Sequence, residues 1–278
     1  MSAARAAFRR LRSAAYSIRW AADPPATRRR GRAYLQNAIG RRRYRVLSEA
    51  ELLATRTSDT AFVFGSGRSL VDISPEEWER IAACNTVSLR EFPRQRFVRA
   101  DYHMTGEVDD LDSYARRIRE NPLYRDTIFL VQGGWFAESG NALVGRALLP
   151  PGSRIFRYSR TSRGLYSPPS RTFQEGFVHG YNSIVSATNF AILMGWRRIV
   201  LAGVDLYNKE YFWLPKGETR AYEKPGIVAS SLFTSHELTI EMLGRWRREL
   251  EPEGIQLLVY DPRSLLAREL PVLSWDEA

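Results

Sequence analysis

Between Ile184 and Leu206 the hydrophobic pattern changes period once, and the change predicts a complete unit. Apolar residues at Ile184, Val185, Ala187, Phe190, Ala191 and Met194 recur at helical spacing, with Ser183 placed to cap the start and Gly195 where a helix ends. Ile199 to Val204 is then an unbroken apolar run, which suits a strand buried on both faces of a parallel sheet. The run gives way to Asp205, Tyr207 and Tyr211. These polar positions lie beyond the carboxyl end of the strand, where open α/β sheets bind their ligands.

The same reading extends along the chain. Short apolar runs predict strands at Ala61–Phe64, around Asn85–Ser88, through Phe97–Tyr102, at Thr127–Val131 and at Ile255–Tyr260. Helices are predicted around Ser48–Ala54, from Ser74-Pro75-Glu76-Glu77 onward, over 110–121, and over the apolar face Leu238, Ile240, Leu243, Trp246 and Leu250, with a last short one at Ser264–Arg268. Thr234 and Glu237 have the spacing of a capping box for the helix that carries Leu238. Residues 137–175 are rich in Gly, Pro, Ser and Arg and predict a loop-rich excursion with one edge strand near Arg154–Tyr158. Asn208 to Ser231 is polar and aromatic without clean periodicity, as expected of a lid inserted over about 208–235. Strands alternating with helices imply an α/β fold: a Rossmann-like, mostly parallel sheet with helices on both faces.

Composition sharpens this picture at the start of the chain. The formal charge of +10 is nearly all arginine, and the only lysines are Lys209, Lys216 and Lys224. Arg9-Arg10, Arg28-Arg29-Arg30 and Arg41-Arg42-Arg43 crowd the first 47 residues. Residues 1–55 therefore read as a basic arm, and residues 56–278 as the functional domain. A solvated tail, a transit peptide and an anchor to an anionic membrane all fit such an arm, the last because Phe8, Leu11, Ala15 and Ile18 form an apolar stripe. Nucleic-acid binding is set aside because no recognition motif accompanies the charge. The single Cys84 excludes a disulfide framework and a cysteine-based zinc cluster, and points to a reducing, cytoplasmic setting. No run of about 18 apolar residues predicts a transmembrane helix.

Two features could carry chemistry. Gly65-Ser66-Gly67-Arg68-Ser69-Leu70 follows a strand, and its glycines would let backbone N–H groups approach a phosphate; a plain strand-to-helix turn is the other reading. It is neither a full dinucleotide fingerprint nor a P-loop. The three histidines, His103, His179 and His236, lack metal-ligand spacing. His236 falls in the first turn of a predicted helix, where the dipole keeps an imidazole neutral, as a general base must be. A surface histidine without chemistry is the alternative.

Taken together, the order of these motifs resembles the bacterial family 42 sialyltransferases. The resemblance rests on strand–Gly-x-Gly-x-Ser-Leu, Cys84-Asn85, Gly195-Trp196-Arg197-Arg198-Ile199 with Gly203-Val204-Asp205-Leu206-Tyr207, Ser235-His236, and Pro262-Arg263-Ser264-Leu265-Leu266-Ala267. It covers roughly residues 60 to 273. The resemblance implies a GT-A variant of the Rossmann-like fold and a metal-independent, inverting transfer of sialic acid, or a related nonulosonate, from a CMP-sugar to a hydroxyl of a glycan or glycolipid. It implies His236 as base and Tyr207 and Tyr211 as hydrogen-bond donors to the departing phosphate. It also implies a donor site from Gly65, Ser66, Gly67, Ser69, Asn85, Asp101, Asn182, Ser183, Gly203 and Asp205, no cofactor, and assembly into homo-oligomers; the basic arm, read from its own residues, would hold the enzyme at the inner membrane face. Ser66, Arg68, Asp101, Gly180 and Phe233 depart from the family pattern around the donor. The glycine-loop start also resembles the pterin pyrophosphokinase and motility-accessory group, which would need Mg²⁺ and a triphosphate. A catalytically silent nucleotide- or glycan-binding module is the third reading.

Overall fold

A computed structural model describes residues 24–106, 108, 110–135, 137–161, 167–180, 182–208, 210–218 and 236–275. Its centre is a parallel sheet of eight strands: β1 (Arg45–Val46), β2 (Thr60–Phe64), β3 (Asn85–Leu89), β4 (Tyr102–Met104), β5 (Ile128–Gln132), β6 (Arg154–Tyr158), β9 (Arg198–Ala202) and β10 (Gln256–Val259), in the order β1-β6-β5-β4-β3-β2-β9-β10. A separate parallel pair, β7 (Arg160–Thr161) and β8 (Phe177–Val178), completes the strands among the described residues. The helices are α1 (Pro24–Gly40), α2 (Glu49–Leu53), α3 (Pro75–Ala82), α4 (Leu111–Glu120), α5 (Glu138–Gly145), α6 (Ser183–Leu193) and α7 (His236–Leu250).

Alternation along each strand divides the core into two layers of side chains. In β2, Ala61 and Val63 pack with Phe190 of α6 and with Leu243 and Trp246 of α7. Phe62 and Phe64 point the other way, onto Trp78 and Ile81 of α3 and onto Phe92. Farther along the sheet, Phe129 and Val131 of β5 meet Tyr114 and Ile118 of α4 and Leu143 and Val144 of α5. Helices thus cover both faces, as the continuous apolar runs require.

Local chemistry sets the helix starts. Ser48 and Ser74 each form a reciprocal capping box, with Glu51 and Glu77 respectively. α6 is capped by Asn182, whose Oδ1 accepts the Val185 N–H at 3.3 Å, so Ser183 is the first helical residue and not the cap. Gly195, at φ +76°, supplies the left-handed turn that ends this helix. The proposed cap Thr234 lies outside the described residues.

Several elements differ from the sequence reading. The strand expected over Phe97–Tyr102 begins at Tyr102. The Gln95 side chain accepts the N–H groups of Phe97 and Val98 and folds them into a turn, and Phe97 stacks on Trp78 with ring centroids 5.2 Å apart. The excursion 137–175 contains α5, and β6 is not an edge, because β1 pairs outside it. The basic arm expected over 1–55 belongs to the folded unit from Pro24 on: α1 lies on α5, β1 extends the sheet, and Leu47 and Leu52 enter the core.

Candidate functional site

Strands β3 to β6 lie on one side of β2, and β9 and β10 on the other. The strand order therefore reverses between β2 and β9, and the crevice beyond their carboxyl ends is the place such sheets reserve for ligands. Two loops meet there: Gly65–Ser69 after β2 and Gly203–Tyr207 after β9.

They are bound tightly to each other. Gly65 N–H donates to Ala202 O at 2.8 Å and Gly67 N–H to Gly203 O at 2.7 Å. The Asp205 carboxylate accepts the Ser69 N–H at 3.0 Å and the Ser69 hydroxyl at 2.5 Å. Burial is the main influence on that carboxyl and raises its pKa above the usual aspartate range, against the two Ser69 hydrogen bonds. The glycines permit this contact. A Cβ on Gly67 would sit 2.4 Å from the Asp205 carboxylate, and one on Gly65 would sit 2.2 Å from the Gly203 carbonyl oxygen. The N–H groups of Gly65, Gly67 and Ser69 are thus engaged within the protein. Here the glycines serve loop-to-strand packing, and Asp205 holds the loop. Gly65→Ala is expected to cost about 1–3 kcal/mol, since the obstacle is backbone and cannot rotate aside. Thermal denaturation would register it as a drop of about 2–4 °C per kcal/mol.

The two tyrosines flank this junction. Tyr211 pairs its backbone with Gly67 and stacks on Trp213 at 4.7 Å, while Phe212 N–H donates to Ser66 O at 3.3 Å. Arg68 holds the same segment, donating to Leu214 O at 2.8 Å and facing Glu210 at 3.8 Å. Tyr207 follows Leu206, a non-glycine residue at φ +62°, and its phenol pKa is raised by partial burial first and then by the Asp205 charge. Strain of this kind collects at functional edges.

The start of α6 lies at the same edge of the sheet, because a helix that precedes a parallel strand begins beside the strands' carboxyl ends. The start of α7 does so for the same reason. Asn182 links them, its amide donating to Thr239 Oγ1 in the first turn of α7 at 2.8 Å. His236 is the first residue of α7, three positions before Thr239. Just before α6, His179 shares a 3.2 Å hydrogen bond with Ser186 Oγ. Burial, and secondarily Arg160, push its pKa down to about 4.

By sequence the chain matches no family model and no curated protein. By structure it is similar to the MAf glycosyltransferase from Magnetospirillum magneticum AMB-1, with a TM-score of 0.50 and 17% identity. The fold is a shared one. The match covers 82% of this chain and 35% of the other, so this chain spans about a third of that protein's length. It does not single out the sialyltransferases of family 42.

Of the residues singled out from sequence, Gly65, Ser66, Gly67, Ser69, Gly203, Asp205, Tyr207 and Tyr211 come together at the β2–β9 junction, and Asn182, Ser183 and His236 come to the helix starts. Asn85 and Asp101 do not join them. Asn85 opens β3 and Asp101 precedes β4, so both stand at the amino edge of a parallel sheet. Asn85 Oδ1 accepts from Thr57 N–H, Ser58 N–H and Trp196 Nε1, at 3.0 to 3.1 Å. Asp101 accepts from the Thr86 N–H and hydroxyl and from Arg99. These are internal ties, not donor contacts. The residue that leaves β3 at the carboxyl edge is Arg90, at φ +42°. Its position after an apolar run was the signal that could have marked it.

Among the described residues no group of three or more His, Cys, Asp or Glu side chains converges to hold a metal ion, and no helix is long and apolar enough to cross a membrane.

Proposed function

We propose that this protein is an inverting glycosyltransferase that moves sialic acid or a related nonulosonate from a CMP-sugar to a hydroxyl of a glycan or glycolipid. One observation carries the reading. At the switch point of a Rossmann-like sheet, a glycine loop stapled by Asp205 is flanked by Tyr207 and Tyr211, and the starts of α6 and α7 are joined at the same edge. The fold shared with a solved glycosyltransferase is consistent with it.

The chemistry follows from the donor. The acceptor oxygen attacks the anomeric carbon, the bond from that carbon to the phosphate oxygen breaks, and CMP leaves with the electron pair. A single phosphate departs, so the charge that develops is small. Phenol hydroxyls from Tyr207 and Tyr211 and N–H groups at the start of α6 can meet it without a cation. Because the N–H groups of Gly65, Gly67 and Ser69 are occupied, most of that work falls on the phenols and α6. His236 takes the acceptor proton. The lid expected over about 208–235 lies, from residue 219 on, outside the described residues.

Binding of nucleoside monophosphates tests the reading directly. CMP at about 100 times its dissociation constant would stabilise the folded state by about 2.7 kcal/mol, a readily measured thermal shift, with GMP and AMP giving much less. Preference for a triphosphate with Mg²⁺ would favour the pyrophosphokinase-like alternative and remove this one. CMP binding with neither transfer nor slow donor hydrolysis would leave only a binding module.

A further inference from the structure

Helix α1 faces the wrong way for a helix of a water-soluble core. Its inward side carries Arg30, Ala33, Asn37 and Gly40, all buried. Its outward side carries Leu35 and Ile39, which are 67% and 74% exposed. The inversion has a structural cause. α1 approaches α5 through small residues: a Cβ on Gly40 would lie 2.2 Å from Val144 O, and one on Gly145 would lie 2.8 Å from the Gln36 backbone. Asn37 crosses the contact and donates to Asn141 Oδ1 at 2.9 Å. Contact this close leaves no room for a large aliphatic side chain on the inner side.

The outer face is organised. Arg28, Arg32, Leu35 and Ile39 recur at intervals of four, three and four, which lays them along one stripe of α1, and Arg42 follows in the 3-10 turn Arg41–Arg43 that leaves the helix. All five are exposed, and α1 contains no acidic residue. Trp135, more than two-fifths exposed, lies over Gly31 on one flank of α1, with its ring 6.1 Å from that of the equally exposed Tyr34. Two aliphatic side chains ringed by arginines and edged by amphipathic aromatics match the interface of a bilayer, where alkyl groups enter the acyl boundary and guanidinium groups meet phosphates.

We infer that the outward face of α1 docks onto an anionic lipid surface, with Leu35 and Ile39 inserted and Arg28, Arg32 and Arg42 against the headgroups. A second copy of this chain is a poorer occupant. Two aliphatic side chains fall far short of the roughly 800 Å² per partner of a stable interface, and a two-fold contact would set the same arginines against each other. The inference is independent of the proposed transferase activity.

The test is co-sedimentation of the full chain with vesicles of pure phosphatidylcholine and of phosphatidylcholine with phosphatidylglycerol. Binding is expected to the anionic vesicles alone and to weaken with salt. Leu35→Ser/Ile39→Ser and Arg28→Gln/Arg32→Gln/Arg42→Gln should each lower the apparent partition coefficient by about ten-fold or more, with melting curves unchanged because the altered side chains are exposed. Absence of binding to anionic vesicles overturns the inference. So does binding that both variants retain, or that only the arginine variant loses. A dimer in solution that Leu35→Ser/Ile39→Ser dissolves would assign the face to a second copy and overturn it as well.

Discussion

His236→Ala should slow sugar transfer by about 10²–10⁴-fold while CMP binding persists, the signature of a lost general base. The expectation rests on where α7 begins. An imidazole at a helix N-terminus meets the positive end of the dipole, which favours its neutral form, the form able to accept a proton. Asn182 ties that first turn to the start of α6, at the edge where the donor would lie. The other two histidines are poor candidates. Burial drives His103 down to about 3, and it is held in the core by Ser88 and Tyr114. His179 lies at about 4. Both remain neutral throughout the range from about pH 5 to 8, in which histidines ordinarily titrate. A loss of wild-type turnover as pH falls through that range should therefore vanish in His236→Ala, leaving a flat residual rate. Turnover unchanged in the variant, or a pH limb that survives it, would take the base assignment away from His236.

How far the sequence could be read follows from which interactions are local. Ser48 with Glu51 and Ser74 with Glu77 announce their helices because a capping box is complete within four residues. The runs at 61–64 and 199–202 announce buried strands because both faces of each strand are covered. α5 could not be read this way. Gly140 and Gly145, which argue against a helix locally, are required by tertiary neighbours: a Cβ on Gly140 would lie 2.3 Å from Gln132 O in β5, and one on Gly145 would lie 2.8 Å from the Gln36 backbone, more than a hundred positions away. The glycine loop was visible as a motif, but its function was not. Whether its N–H groups face a ligand or another loop depends on Asp205, 136 positions away from Ser69. The side of α1 that faces inward is likewise set by α5, so its arginines suggested only a basic arm.

Asn85 shows the same limit, and replacing it gives the largest stability effect expected here. A motif match places a residue along the chain without telling which end of its strand it occupies. Asn85 occupies the end remote from the crevice, where one side-chain oxygen serves three donors: two successive backbone N–H groups, of Thr57 and Ser58, and the indole of Trp196. Its amide nitrogen donates to Thr57 Oγ1 at 2.9 Å. This single side chain joins the segment before β2 to the turn that follows α6, and Trp196 is itself fully buried. Asn85→Ala would leave the buried Trp196 indole N–H unpaired and remove the part-buried bonds to Thr57 and Ser58, at a cost of about 2–4 kcal/mol, since an unpaired buried group alone costs about 1–3 kcal/mol and each lost part-buried bond adds to it. Urea denaturation should show a lower midpoint with an unchanged slope, because folded and unfolded surfaces barely alter. Asn85→Asp keeps the acceptor oxygen and should recover part of the loss. Below the unfolding transition, CMP affinity should match that of the unaltered protein. A variant with native stability and weakened CMP binding would instead return Asn85 to the donor site.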